Sequence, residues 1–153
     1  MNIPRFHLSF PVHNLEEAKV FYHEILGCEI GRYSDQWMDF NLYGHQIVAH
    51  LSPQDCILAK HNEVDGDDVP SRHFGVILPW EKWSQLRNVL IEKKVNWLIE
   101  PRIRFKNTPG EQGTFFINDP SNNSLEFKTF KNCLLYTSPS PRDRTRSRMP
   151  SSA

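Results

Sequence analysis

The sequence of 153 residues contains no long apolar run, few cysteines and no excess of charge of either sign. A membrane-spanning helix needs about 20 consecutive apolar residues, and the amino terminus lacks the charged, apolar and small-residue order of a signal peptide. The three cysteines form no CxxC pair, which argues against a zinc ribbon or a disulfide scaffold. Net charge is zero, and no basic stripe marks a nucleic-acid binder. We therefore expect a soluble, cytoplasmic protein that binds neither nucleic acid nor a membrane.

The carboxy-terminal segment differs in composition from the rest of the chain. Residues 1–131 contain 14 Lys and Arg against 17 Asp and Glu, whereas residues 132–153 contain 4 against 1. Ser, Pro and Arg dominate the segment and no apolar periodicity survives, so we expect disorder there. A basic docking arm is one interpretation, and translated adapter or vector sequence, which the segment also resembles, is the other. We exclude it from the domain, which spans residues 1–131.

The remaining sequence begins with a strand and a helix. Apolar residues alternate with polar ones from Phe6 to Phe10, which is typical of a strand with one buried face, and we expect Pro11 to end it. Asn14 is the predicted N-cap of an amphipathic helix over residues 15–26. Three short β-rich runs follow, CEIGRY, WMDFNLY and HQIVAHL.

The same order of elements then repeats. After an acidic stretch over residues 53–70, which we expect to be mobile, come HFGVIL as a strand, WEKWSQLRNVLIEKK as a helix, and the strands WLIEPRIRF, GTFFIND and SLEFKTF. Residues 5–51 and 72–130 are therefore predicted to be duplicate β-α-β-β-β modules. Modules of about 50 residues are too small to close separate cores, so the two should share one. We predict an α+β fold, with an open, cleft-containing mixed sheet and helices on the outside.

Strand alternation selects the side chains that should face this cleft. Residues two apart share a face, and the apolar neighbours mark the helix side, so His7, His50, His73 and Glu126 are predicted to point inward. Imidazoles with one carboxylate suit a divalent first-row metal, and two His with one carboxylate suit Fe(II). The alternative is that each is an ordinary strand residue, with Glu126 paired to Lys128. Several unpaired titratable groups in a partly buried cleft would be costly, which favours the metal site.

Three segments carry a resemblance to a known family. FHLSFPVHNLEEAKVFYHEILGCEIG, HFGV and NDPSNNSLEFKTF are similar to the vicinal oxygen chelate superfamily, and the resemblance covers residues 5–130. The superfamily includes glyoxalase I, extradiol dioxygenases and the bleomycin and fosfomycin resistance proteins. The resemblance implies that His7, His73 and Glu126 bind a divalent metal and that His50 lies near a fourth ligand position. It also implies a small-molecule substrate that chelates the metal through adjacent oxygens.

The resemblance leaves several activities open. An extradiol-type dioxygenase with Fe(II) matches the His, His, Glu set, with His50 as the catalytic acid–base group. A glyoxalase-type lyase or isomerase would use Ni(II), Zn(II) or Mn(II), with His50 as the fourth ligand. A metal-free binder of the bleomycin-resistance type would line its cleft with aromatic residues, here Trp37, Phe40, Phe115 and Phe116, and its histidines would not converge.

A fosfomycin-resistance activity would need cationic residues around a phosphonate and paired halves from two chains. Arg102, Arg104 and Lys106 could supply the cations, although a solvated edge strand accounts for them as well. Homodimers are common among similar proteins, so a homodimer remains an open arrangement.

Overall fold

The computed structural model describes residues 3–64 and 66–132. The same order of strands and helices occurs in both halves of the chain. The first half contains β1 (His7–Val12), α1 (Leu15–Lys19), a π-helix (Val20–Ile25), β2 (Glu29–Tyr33), β3 (Trp37–Leu42) and β4 (His45–Leu51). A 3-10 turn (Pro53–Asp55) and a hairpin of β5 (His61–Val64) and β6 (Asp67–Pro70) follow. The second half contains β7 (Phe74–Ile77), α2 (Trp80–Glu92), β8 (Trp97–Arg104), β9 (Gln112–Asn118) and β10 (Ser124–Phe130). The predicted tail lies outside the described residues, except for Asn132.

The two halves form four-stranded sheets of matching topology. Their strand orders are β1-β4-β3-β2 and β7-β10-β9-β8. The first and last strands of each half pair in parallel, and the other pairs in these two sheets are antiparallel. This repeated topology confirms the predicted α+β class.

The first helix begins as predicted and changes type halfway. The Asn14 side chain accepts a hydrogen bond from the backbone N–H of Glu17, as an N-cap should. Beyond Lys19 the turns widen to π-helix, and the Leu26 N–H bonds to the Phe21 carbonyl five residues earlier at 3.0 Å. Together α1 and the π-helix cover almost all of the predicted helical span.

One apolar core contains residues of both halves, as their small size predicts. Phe10 of β1 lies 5.4 Å from Phe74 of β7 between ring centroids. Tyr22 is completely buried and donates a hydrogen bond to Asp119 Oδ2 at 2.8 Å. Burial raises the pKa of Tyr22 well above its usual value, and it also raises the pKa of Asp119 against the hydrogen bonds from Asn123 and Tyr22.

Two predictions about the first strand are wrong. The strand continues through Pro11 to Val12, because β1 is an edge strand, where a missing N–H is tolerated. Phe6 precedes the strand and is 61% exposed, whereas Leu8, Phe10 and Val12 form the apolar row that faces the core on the helix side.

The stretch over residues 53–70, which we expected to be mobile, contains regular secondary structure in its described residues. It contains the β5–β6 hairpin, in which Val69 and Asp67 are both buried. The acidic composition hid this hairpin, because Asp67 is paired with arginines that lie far away in the sequence. None of the described helices is long and apolar enough to cross a membrane.

Candidate functional site

Two of the predicted metal ligands face each other on the second sheet. His73 directly precedes β7, Glu126 lies in the neighbouring strand β10, and Nε2 of the histidine is 3.1 Å from Oε2 of the carboxylate. The His73 side chain is 30% exposed and that of Glu126 is 12% exposed. Glu126 Oε1 accepts a hydrogen bond from Thr114 Oγ1 at 2.7 Å, and Lys128 Nζ lies 3.7 Å from the same oxygen. The pair is therefore half-buried, and Thr114 and Lys128 fix the carboxylate oxygen that does not face His73.

The other nitrogen of His73 is also engaged. Nδ1 lies 2.8 Å from the carbonyl oxygen of Pro70, and since a carbonyl accepts, Nδ1 carries the proton. In the neutral ring Nε2 then presents a lone pair to the Glu126 carboxylate. A histidine ligand usually donates its other N–H to a carbonyl or carboxylate in this way.

The spacing of the pair fits a bound cation. Two ligand atoms that each lie about 2.0–2.2 Å from one ion are at most about 4.4 Å apart. The separation between His73 Nε2 and Glu126 Oε2 is 3.1 Å. Two facing lone pairs at this distance need a proton or a metal ion between them, so these residues fit a metal.

A glycine allows the two strands of the pair to approach. Gly75 lies opposite Glu126 in the parallel pairing of β7 with β10. A Cβ at this glycine would lie 1.6 Å from the Glu126 backbone oxygen, closer than any contact that real side chains make. The close register that brings His73 beside Glu126 therefore depends on the absence of a side chain at residue 75.

The third predicted ligand lies on the first sheet in a different polar group. His7 Nδ1 is 2.8 Å from Gln46 Oε1, and Gln46 Nε2 donates to Asp39 Oδ2 at 3.2 Å. Arg32 Nε is 3.6 Å from the same oxygen of Asp39. A cavity of about 510 Å³ is bordered by His7, Asp39 and Gln46. The sequence analysis did not single out Asp39, which lies opposite Val48 in the pairing of β3 with β4.

One chain does not assemble the predicted triad. In the described ranges, no three or more His, Cys, Asp or Glu side chains are close enough to hold a metal ion. His73 and Glu126 are together, whereas His7 contacts Gln46. The assignment of all three residues to one ion remains a prediction.

His50 and Glu126 come from the matching last strands of the two halves, but the register shows that they do not occupy equivalent positions. His7 and His73 do occupy equivalent positions. His7 directly precedes Leu8, which pairs with Ile47, and His73 directly precedes Phe74, which pairs with Leu125. The next residues along pair Ser9 with Val48 and Gly75 with Glu126. Val48 is therefore the counterpart of Glu126. Strand alternation identified the face but could not fix the position along the strand.

His50 lies two residues beyond this position. It is exposed and lies opposite Trp37 in the pairing of β3 with β4. Its counterpart in the second half is Lys128, because Pro11 pairs with His50 as Ile77 pairs with Lys128. His50 therefore remains a candidate acid–base group, and Val48 takes the position equivalent to Glu126.

The cationic run on β8 is engaged in an ion-pair cluster. Arg102 Nη2 lies 2.7 Å from Asp67 Oδ1, and Arg104 bonds to the other carboxylate oxygen. The Arg104 side chain is only 14% exposed, so this part of β8 is not the solvated edge that we considered. Sequence analysis missed Asp67, because nothing in the acidic run distinguishes it from its neighbours.

The family can be stated from the comparisons. A model of the glyoxalase/bleomycin resistance protein/dioxygenase superfamily matches residues 6–127. The chain belongs to this superfamily. A superfamily protein from Alicyclobacillus acidocaldarius is 32% identical over 84% of this chain and 92% of that chain, with a TM-score of 0.67. No curated protein shows significant similarity.

More distant superfamily structures share the fold. The fosfomycin resistance protein of Listeria monocytogenes is 15% identical, with coverage of 94% and 99% and a TM-score of 0.61. Lactoylglutathione lyase from Agrobacterium tumefaciens is also 15% identical, with coverage of 84% and 95% and a TM-score of 0.58. At this identity they establish the fold of the superfamily and leave the reaction open.

We predict that Gly75→Ala destabilises the protein by about 1–3 kcal/mol, because the new methyl group must push β7 away from β10. Gly110→Ala is the matched control, since its Cβ would meet its nearest neighbour, Thr108 Oγ1, at 3.9 Å. Urea unfolding of both variants checks this. Equal losses in the two variants would contradict the role of Gly75.

Proposed function

We propose that the chain is a metal-dependent dioxygenase of the extradiol type or a related one, acting on a small molecule that chelates the metal through adjacent oxygens. The metal ligands in this proposal are His7, His73 and Glu126. The proposal is carried by the pair of His73 and Glu126, whose facing atoms are 3.1 Å apart while Nδ1 is occupied by a backbone carbonyl. That arrangement is typical of an oriented ligand histidine.

The first sheet favours a three-ligand set. Val48, the counterpart of Glu126, has no ligand atom in its side chain. Two histidines and one carboxylate would leave coordination positions open, which suits Fe(II) and chemistry with dioxygen. The metal would supply Lewis-acid stabilisation of the chelated substrate oxygens.

The chain's own residues have distinct roles in this proposal. Thr114 and Lys128 hold Glu126 Oε1, which leaves Oε2 directed at His73. Phe116 packs edge-on against the His73 ring at 5.1 Å and limits access of water to that side. His50, two residues beyond Val48 on the same face of β4, would exchange a proton with the substrate.

We further propose that the site is completed in a homodimer. Within the described residues one chain presents a pair of ligands on the second sheet and a separate, exposed His7 on the edge strand β1. A two-fold dimer applies the same contact twice, so His7 of each copy would complete the pair of the other. The possibility of paired halves from two chains already follows from the resemblance.

A glyoxalase-type lyase is the alternative enzyme. It is favoured by the shared fold with lactoylglutathione lyase, and it would use Ni(II), Zn(II) or Mn(II). Val48 argues against it, because a four-ligand site with carboxylates from both halves lacks its first carboxylate. A metal-free binder is the non-enzyme alternative. Phe116 on the cleft face and the separation of His7 from His73 within the described residues favour it, whereas Phe115 packs against Trp83 on the helix side and does not line the cleft.

The metal site predicts that the purified protein binds about one Fe(II) or Co(II) ion per chain, because the proposed dimer contains two equivalent sites. His73→Ala should lose this binding, whereas His45→Ala should retain it. His45 accepts from the Phe6 N–H and belongs to no proposed ligand set. Anaerobic titration and metal analysis test the prediction. Equal metal content in the His73→Ala variant and the unaltered protein would contradict the site.

The activity is tested by two assays on the same preparation. We expect uptake of dioxygen when the Fe(II)-loaded protein meets catechols, and no loss of the hemithioacetal of methylglyoxal and glutathione under nitrogen. His50→Gln should slow uptake while leaving Fe(II) binding intact, because its role is proton transfer. Hemithioacetal loss without oxygen uptake would favour the lyase instead.

A mixed dimer tests where His7 binds. His7→Ala and His73→Ala should each lack the metal as homodimers. If His7 completes the partner's site, a dimer of one variant with the other contains one intact site and one doubly altered site, so about half of the wild-type metal binding returns. Co-expression with two affinity tags isolates the mixed species. A mixed dimer that binds no metal would exclude the shared site.

A further inference from the structure

We infer that Asp67 is a positioning residue for His73: it anchors the β5–β6 hairpin to the inner face of the second sheet and so holds the Pro70 carbonyl against His73 Nδ1. The inference rests on the proposed function, because it concerns the orientation of a proposed metal ligand. It assigns a role to the segment that joins the two repeated halves.

The hairpin lies on the same face of the second sheet as Glu126. Phe115 and Ile117 of β9 belong to the core on the α2 side, so Phe116 between them points to the opposite face. Val69 of β6 packs with Phe116 and Ile99 in a separate small apolar cluster. Phe116 is also the residue directly opposite Glu126 in the pairing of β9 with β10.

An ion-pair cluster anchors the other end of β6 to the same face. Arg102 lies opposite Thr114 in the pairing of β8 with β9, and the Thr114 hydroxyl bonds to Glu126. Both Arg102 and Arg104 bind the Asp67 carboxylate, one on each oxygen. The Asp67 side chain is only 10% exposed. A carboxylate so buried is stable only when it is paired, and Arg102 and Arg104 provide this pairing.

Both anchors act on the strand that ends at Pro70. β6 begins at Asp67, contains Val69 and finishes at the residue whose carbonyl accepts from His73 Nδ1. Asp67 and Val69 lie two residues apart, so they fasten the same face of this strand to the second sheet, and loosening Asp67 should let the Pro70 carbonyl move. The His73 ring would then lose the contact that directs Nε2 toward Glu126 Oε2.

Asp67→Asn tests the inference, because it keeps the shape of the side chain and removes its charge. Asp68→Asn is the matched control: Asp68 is next in the same strand, is exposed and pairs only with His61 among its described ion pairs. We expect Asp67→Asn to weaken Co(II) binding by about tenfold to a hundredfold, the usual loss when a ligand histidine loses its orienting contact. Asp68→Asn should bind Co(II) like the unaltered protein.

A metal-free measurement separates positioning from general damage. Long-range ¹H–¹⁵N spectra of the His73 imidazole should show an Nδ1–H that is hydrogen-bonded to a carbonyl in the unaltered protein and in Asp68→Asn, and a shifted Nδ1 signal in Asp67→Asn, where that bond is weakened. If Asp67→Asn does not fold, Arg102→Gln takes its place, since it removes one arm of the cluster and leaves Arg104 on Asp67. It should show the same changes to a smaller extent.

The outcomes are distinct. Wild-type Co(II) affinity together with unchanged His73 nitrogen shifts in a folded Asp67→Asn variant would overturn the inference. If the unaltered protein binds no Co(II), the proposed function fails, and the imidazole spectra still decide whether Asp67 holds the ring.

Discussion

The carboxylate of Glu126 is the charge around which the inner face of the second half is arranged. It is largely removed from water, and a buried carboxylate needs donors or cations close by. Thr114 donates to one of its oxygens from β9, Lys128 lies near the same oxygen, and His73 faces the other oxygen from the start of β7. The close approach of β7 to β10 at Gly75 brings the histidine to this charge. The first half has the same strand order but Val48 at the equivalent point, so the polarity of the two inner faces differs.

Most of the fold could be predicted from alternation and composition. The strands and helices of both halves were located because their apolar residues recur at the period of each element, and the shared core follows from the size of each half. Pro11 was misjudged because its tolerance depends on β1 being an edge strand, which is a property of the sheet. The hairpin was missed because the burial of Asp67 depends on arginines about 35 residues away, which no local pattern reveals.

For the candidate site, the sequence predicted which side chains share a face but not their positions along the strands. Alternation assigned His73 and Glu126 to one face, and the structure brings them together. It could not say how far along β4 a residue lies relative to its counterpart in β10, and for this reason Val48 was overlooked and His50 was misplaced. Nor could it say that His7 lies apart from this pair within the described residues of one chain, because alternation describes one strand and contains no information on how the two sheets are placed.

The hairpin between the halves belongs to neither repeat. Its two strands contribute little to the shared core, since Val69 packs in a cluster of its own. Mutations that change the length of the hairpin or the side chains on its exposed face would therefore leave the folding of both modules largely intact. The surroundings of Glu126 and the stability of the two modules can therefore change independently, because the hairpin meets the inner face of the second sheet outside the shared core.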